Sequence, residues 1–192
     1  MANHTFQDKK AIVTGASDGI GRATALALAR QGAHIVLAGR RQNALEQVAG
    51  EIHQLNRKTL IVPTDVTDQT QVEKLVGTTI EQWGRIDILV SNAGEYIRAP
   101  VERLTKDDIQ RSLAVNFYGG VYCILATLPH MRRQGSGHIV VVTSMDGKKG
   151  IPPDAPYAAA KYALTGFVDV VRQELHGTGV YVSNILPGRV DT

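Results

Sequence analysis

Residues 10–14, Lys-Ala-Ile-Val-Thr, run straight into Gly15-Ala16-Ser17-Asp18-Gly19-Ile20-Gly21, and an alanine-rich stretch follows from Arg22 to Arg30. This order predicts a short buried strand, a glycine turn and a helix. Gly15 permits a tight turn, and Gly19 lets the backbone approach a pyrophosphate. Gly21 lets the helix pack closely on its strand. The helix start then offers unpaired N–H groups and the positive end of a dipole. The spacing is G-x-x-x-G-x-G rather than the commoner G-x-G-x-x-G. Taken alone, the segment also reads as a glycine-rich turn without a ligand.

The same alternation continues along the chain. Strands are expected near 10–14, 33–38, 58–62, 86–90, 137–143 and 179–185. Helices are expected near 19–31, 42–56, 68–83, 105–133 and 155–177. The strand runs are rich in Val, Ile and Leu without strict alternation, as in strands covered on both faces. Alternating strands and helices imply an α/β fold with a parallel sheet and right-handed crossovers. Gly32 and Gly84 stand where helices should stop, and Asp68 where an amino-terminal cap is wanted. No linker or composition shift divides the 192 residues, so one domain is expected.

Tyr157 and Lys161 lie four residues apart in P-Y-A-A-A-K, with Ser144 thirteen residues before the tyrosine. On a helix the two side chains share a face. A neighbouring positive charge favours a phenolate, so a lysine there would bring a tyrosine towards acid–base use. A lone Y-x-x-x-K pair is common by chance, and its meaning depends on the rest of the chain.

Composition excludes more than it identifies. The net charge is +3, and the basic pairs are scattered without a dominant basic tail, so a nucleic-acid partner is not expected. No apolar run looks long enough for a bilayer, and the first residues lack the apolar core of a signal peptide. Cys123 is the single cysteine, which fits a reducing cytoplasm and a buried place on a helix. The histidines are dispersed, and no metal-ligand spacing is present.

Together these segments resemble the short-chain dehydrogenase/reductase family. Thr14-Gly15-x-x-x-Gly19-x-Gly21 is similar to its cofactor motif, and Asn92-Ala93-Gly94 to the motif after its fourth strand. Asn116, Ser144, Tyr157 and Lys161 match its catalytic tetrad in order and spacing. Pro187-Gly188-x-Val190-x-Thr192 matches its nicotinamide-side motif. The resemblance runs from about Lys9 to Thr192. It implies a Rossmann-type, doubly wound parallel sheet with helices on both faces. It also implies hydride exchange between a nicotinamide cofactor and a carbonyl or secondary alcohol. Tyr157 would be the general acid or base. Lys161 would lower the tyrosine's pKa and hold the nicotinamide ribose. Ser144 would position the substrate oxygen, and Asn116 would anchor a water leading to Lys161.

For the cofactor, the resemblance assigns Gly15, Ser17, Asp18, Gly19, Ile20 and Gly21 to the pyrophosphate end. Asp65 and Val66 fall to adenine, and Asn92, Ala93 and Gly94 to the middle. Tyr157, Lys161, Pro187, Gly188, Val190 and Thr192 fall to the nicotinamide end. Gly39 stands where relatives using NAD commonly carry an acid, and Arg40 can face a 2′-phosphate. Asp18 pulls the other way, because many NADP-dependent relatives carry a basic residue there. NADP(H) is favoured, with NAD(H) the alternative. Family members commonly continue past the last motif with a substrate loop, a helix and an edge strand. Residues 1–192 are thus expected to be a single dinucleotide-binding catalytic domain without those parts. If this short form is natural, a weakly active or inactive dinucleotide-binding protein is the alternative function. Glu95, Tyr96 and Arg98 are candidates for the pocket rim, while the polar loop 146–154 reads as solvated surface, with contact to a polar or anionic substrate the alternative. The helices near 105–133 and 155–177 are expected to pair with their copies in a homodimer, or in a homotetramer of a longer chain.

Overall fold

The strand nearest the middle of the sheet is the one that leads into the glycine turn. In a computed structural model describing residues 5–190, six parallel strands stand in the order β3-β2-β1-β4-β5-β6. They are β1 (Lys10–Thr14), β2 (His34–Gly39), β3 (Thr59–Pro63), β4 (Ile88–Ser91), β5 (Gly137–Val142) and β6 (Val180–Ile185). The helices are α1 (Gly19–Arg30), α2 (Gln42–His53), α3 (Gln69–Trp83), α4 (Lys106–Leu113), α5 (Gly119–Gln134) and α6 (Ala155–Glu174). Ile12 pairs with Val36 on one side and Leu89 on the other. Strand order therefore reverses at β1, where a doubly wound sheet leaves a crevice.

Successive strand residues point to opposite faces, and both faces are buried. On one face Val13, Leu37 and Val90 pack with Leu26 of α1 and Leu45, Val48 and Ile52 of α2. On the other, Ile12, Val36, Leu89 and Ile139 pack with Leu75 of α3, Ile124 and Met131 of α5, and Leu164 and Val168 of α6. This explains why the strands lack a polar/apolar alternation. Helix ends follow local chemistry. Asp68 accepts from the N–H groups of Thr70 and Gln71 at 2.9 and 3.3 Å. Gly84 closes α3 in the left-handed region, and Gly32 after α1 has φ +97°.

The expected single helix over 105–133 is divided. Between α4 and α5 lies a five-residue π turn, Ala114–Tyr118, with Asn116 at its centre. Such turns widen the helix locally and recur at functional sites. Within Lys106–Gln134 the most apolar 18 residues reach a mean hydropathy of 1.3, so by length and composition alone this stretch corrects the expectation that nothing could cross a bilayer. Here its apolar residues Cys123, Ile124 and Met131 serve as one layer of the core.

Two glycines separate close packing from spare flexibility. A Cβ on Gly21 would lie 2.1 Å from the Gly15 carbonyl oxygen and 2.6 Å from Asn92 Nδ2. On Gly50, within α2, a Cβ would meet nothing within 4 Å. Gly21→Ala is expected to destabilise the protein by on the order of 3 kcal/mol. Gly50→Ala is expected to stabilise it by roughly 0.5–1 kcal/mol through helix propensity. Urea unfolding of both variants checks the pair, and equal effects would refute the close packing at Gly21.

Candidate active site

Two adjoining cavities, of about 880 and 580 Å³, lie along the carboxyl ends of the strands and share Gly15, Ala93 and Gly94. The larger reaches Ser144, Tyr157 and Lys161. The smaller reaches Arg40, Asp65 and Val66. The trough thus crosses the point where strand order reverses.

Its floor is held by a small polar junction. The Thr14 hydroxyl accepts from the N–H groups of Asn92 and Ala93 at 3.0 and 3.1 Å. Asn92 Nδ2 donates to the Thr14 carbonyl at 3.0 Å. The ends of β1 and β4 are fastened together directly beneath the glycine turn. Thr14 was visible in the sequence only as part of a motif, and its clamping role comes from the pairing of β1 with β4.

The start of α1 fits an anionic group. Asp18 stands at its cap position but makes no side-chain cap bond, and the first turn carries no acid. By contrast, Asp68 caps α3 and Thr105 caps α4 with a reciprocal bond to Asp108. The leading N–H groups of α1 are left without a side-chain acceptor, as a phosphate site requires. Gly19, at φ +50°, and Ile20 line this end of the larger cavity. Asp18 is paired with Arg41, whose guanidinium also donates to Ser17 Oγ at 2.9 Å. Arg40 lines the smaller cavity and has no ion-pair partner among the described residues. Asp65 holds Thr67 through Oδ1, which accepts from the backbone N–H and the hydroxyl at 3.0 and 2.8 Å. These groups suit a dinucleotide, with the pyrophosphate at α1 and the adenosine end beside Arg40.

At the opposite end, Pro187, Gly188 and Val190 line the larger cavity. The Met145 N–H donates to the Pro187 carbonyl at 3.0 Å, which ties this segment to the Ser144 turn. Thr192 lies outside the described residues.

The four tetrad residues come together from separate elements. Ser144 follows β5 and is 7% exposed, while Tyr157 and Lys161 share one face of α6. Lys161 is 3% exposed; its Nζ donates to the Val142 carbonyl at 3.2 Å and lies 5.6 Å from the centre of the Tyr157 ring. Asn116 is 1% exposed. Its Nδ2 donates to the Glu95 carbonyl at 2.8 Å and to Ser112 Oγ at 3.2 Å, and its Oδ1 accepts from the Glu95 N–H at 3.0 Å. One amide donor holds Glu95 in the loop after β4 and the other Ser112 on α4, so a water at this side chain would have to donate to Oδ1. A Cβ on Gly94 would come within 2.8 Å of Asn116 Oδ1 and 3.6 Å of Lys161 Nζ. Glycine keeps that corner open.

The electrostatics differ from the sequence expectation. Burial holds the Tyr157 phenol above its ordinary value; a hydrogen bond with Ser144 works against this, and the charges of Asp146 and Asp154 add to it. Burial also brings Lys161 down from 10.5 to about 8. Lys161 gives up its proton more readily than a free lysine but is still an ammonium at neutral pH, and the phenol keeps its proton. Burial pushes the Cys123 thiol up to about 12, which removes it as a nucleophile.

The loop between Ser144 and Tyr157 is only partly solvated surface. Lys148, Lys149 and Gly150 are exposed, but Asp146 and Asp154 are buried and line the larger cavity. Tyr96 donates its hydroxyl to Asp154 and packs edge-on against Tyr157, with ring centres 5.0 Å apart. Arg41, Asp146 and Asp154 were not singled out as site residues from the sequence. Arg41 beside Arg40 was the available signal for the first; burial alone marks the other two.

Residues 9–192 match the family described as short chain dehydrogenase, and the chain belongs to that family. It is an oxidoreductase of this class, whose members bind a nicotinamide dinucleotide. An uncharacterized oxidoreductase of Staphylococcus epidermidis is 37% identical over 186 residues, covering 97% of this chain and 80% of that protein. Among solved structures, an alcohol dehydrogenase from the archaeon Thermococcus sibiricus, complexed with 5-hydroxy-NADP, superposes with a TM-score of 0.92. It is 32% identical, over 97% of this chain and 78% of that one. Levodione reductase gives a TM-score of 0.93 at 33% identity, over 95% of this chain and 72% of that one.

The buried lysine has a consequence for stability. A drop from 10.5 to about 8 corresponds to roughly 3 kcal/mol. Below about pH 8 the folded protein carries the whole penalty of the buried ammonium. Between about 8 and 10.5 the folded state releases the proton while the unfolded chain keeps it, so this contribution to stability rises with pH. The difference in unfolding free energy between wild type and Lys161→Met is expected to follow that rise. A difference independent of pH across this window would contradict the lowered value.

Proposed function

We propose that the protein interconverts a carbonyl and a secondary alcohol with NADP(H), Tyr157 serving as general acid in reduction and general base in oxidation. The observation that carries this reading is the convergence of Ser144, Tyr157 and buried Lys161 at one end of a dinucleotide-sized trough. A bound reduced nicotinamide supplies the hydride that adds to the carbonyl carbon. Ser144 turns its hydroxyl proton from Asp146 Oδ2 to the carbonyl oxygen and orients it. As negative charge grows on that oxygen, the Tyr157 phenol gives it a proton. The raised pKa of the phenol means that the proton is present beforehand. The phenolate left behind is stabilised by the Lys161 ammonium on the same helix face. Lys161 would also hold the nicotinamide ribose.

The preference for NADP(H) rests on the arginines after β2. Arg41 neutralises Asp18, which would otherwise repel a phosphate. Arg40, which lines the smaller cavity and has no ion-pair partner among the described residues, is then available to a 2′-phosphate. The Thermococcus relative's bound 5-hydroxy-NADP agrees with this choice.

Tyr157→Phe is expected to lower turnover by roughly a hundredfold to ten-thousandfold, with cofactor affinity nearly unchanged. Retention of most of the wild-type rate would remove Tyr157 from proton transfer. Arg40→Ala is expected to weaken NADP(H) by about tenfold more than NAD(H). Equal losses in a calorimetric titration would overturn the 2′-phosphate contact.

Self-association belongs to the same reading. Leu125 on α5, Tyr162 and Val170 on α6, and Tyr118 in the π turn are 55%, 45%, 54% and 47% exposed. These exposed apolar side chains are suited to contact with a second copy. Light scattering is expected to give the mass of two chains, and a single-chain mass would rule the contact out.

A further inference from the structure

Asp154 and Asp146 are 3% and 9% exposed, and both line the larger cavity. One oxygen of each is occupied: Asp154 Oδ2 accepts from the Tyr96 hydroxyl, and Asp146 Oδ2 from Ser144 Oγ at 3.2 Å. The other oxygen of each, Oδ1, is buried without a hydrogen-bond partner. Asp154 stands at the start of α6 yet makes no side-chain cap bond there. Among the described residues, no lysine or arginine pairs with either carboxylate. Of the cations of the same cavity, Lys161 donates to Val142 and Arg189 is exposed, while Arg98 lies over the Tyr96 ring, 5.7 Å from its centre, without an ion pair to either carboxylate.

A buried carboxylate without a cation is unfavourable, and an oxygen without a donor adds to the penalty. Two of them beside the reacting hydroxyls make a pocket that a positive group would complete. Tyr96 adds an aromatic surface at the same place, 54% exposed, with Arg98 already over one side of its ring. The negative face of such a ring attracts cations, quaternary ammonium groups included.

We propose that the substrate end of this site takes ketones or secondary alcohols carrying an ammonium group near the reacting carbon, with Asp154 and Asp146 facing the charge beside the Tyr96 ring. This rests on the carbonyl–alcohol reading above and goes further, because that reading leaves the substrate's charge open. Asp146 also holds Ser144, so it links recognition of the cation to the orientation of the group that meets the carbonyl oxygen.

Two ketones of nearly the same shape test it: 1,1-dimethyl-4-oxopiperidinium, permanently charged, and the neutral 4,4-dimethylcyclohexanone. The full chain with NADPH is expected to favour the cation by about tenfold or more in kcat/KM. Asp154→Asn and Asp146→Asn should each bring that ratio towards one, and Asp154→Glu should restore part of it. The ratio is the readout, since either rate alone can fall through an effect on Ser144 or Tyr157. A wild-type ratio of one or less overturns the proposal, as does a ratio unchanged in both asparagine variants. Turnover of neither ketone would count against the carbonyl–alcohol reading instead. Calorimetric titration of the two ketones into the protein with NADP then decides this proposal separately. Tighter binding of the cation supports it, and equal or absent binding overturns it.

Discussion

A parallel sheet sealed by helices on both faces leaves its strand ends as the open part of the molecule. Everything chemical in this protein depends on that constraint. The strands bury Val, Ile and Leu to either side, so neither face has room for a ligand. At the carboxyl ends, the strand order reverses at β1, and the loops from both halves diverge. The Thr14–Asn92 junction fastens the two central strand ends at the point of divergence. Glycines at 15, 19 and 94 then keep the backbone low enough for a ligand to lie across it.

The same burial sets the proton chemistry. Lys161 and Tyr157 sit on the first turns of α6, where the helix enters the core beside β5. Removal from water weakens the ammonium and strengthens the phenol's hold on its proton. The pair therefore favours a phenol ready to donate. Asn116, in the π turn, fixes the loop that carries Glu95 and Tyr96, and this loop in turn reaches Asp154. The wall of the substrate end is thus assembled from α6, the loop after β4 and the turn after β5. The acidic character of that wall is a property of the assembly, since Asp146 and Asp154 lie eight residues apart in a loop that includes exposed lysines.

Local chemistry determined much of this from the sequence. Apolar runs of strand length, glycine at helix ends and Asp68 at a helix start are read from neighbouring residues, and their structural effects are equally local. The glycine turn was legible because strand, turn and helix are contiguous. The i, i+4 pairing of Tyr157 and Lys161 was legible because helix geometry sets it. Family resemblance added Asn116 and Ser144, which no local rule connects to Tyr157. Tertiary structure decided what depends on distant neighbours. The break of the long helix at Ala114–Tyr118 serves contacts that Asn116 makes with Glu95, twenty-one residues earlier. The directions of the Tyr157 and Lys161 shifts required burial, which sequence spacing does not contain. Arg41's engagement with Asp18 joins the end of β2 to the glycine turn, and the unpartnered carboxylates of Asp146 and Asp154 emerge only when three segments close around them. Hydrogen bonding within a helix or turn is set by adjacent residues; desolvation and charge pairing are set by whatever the fold brings alongside.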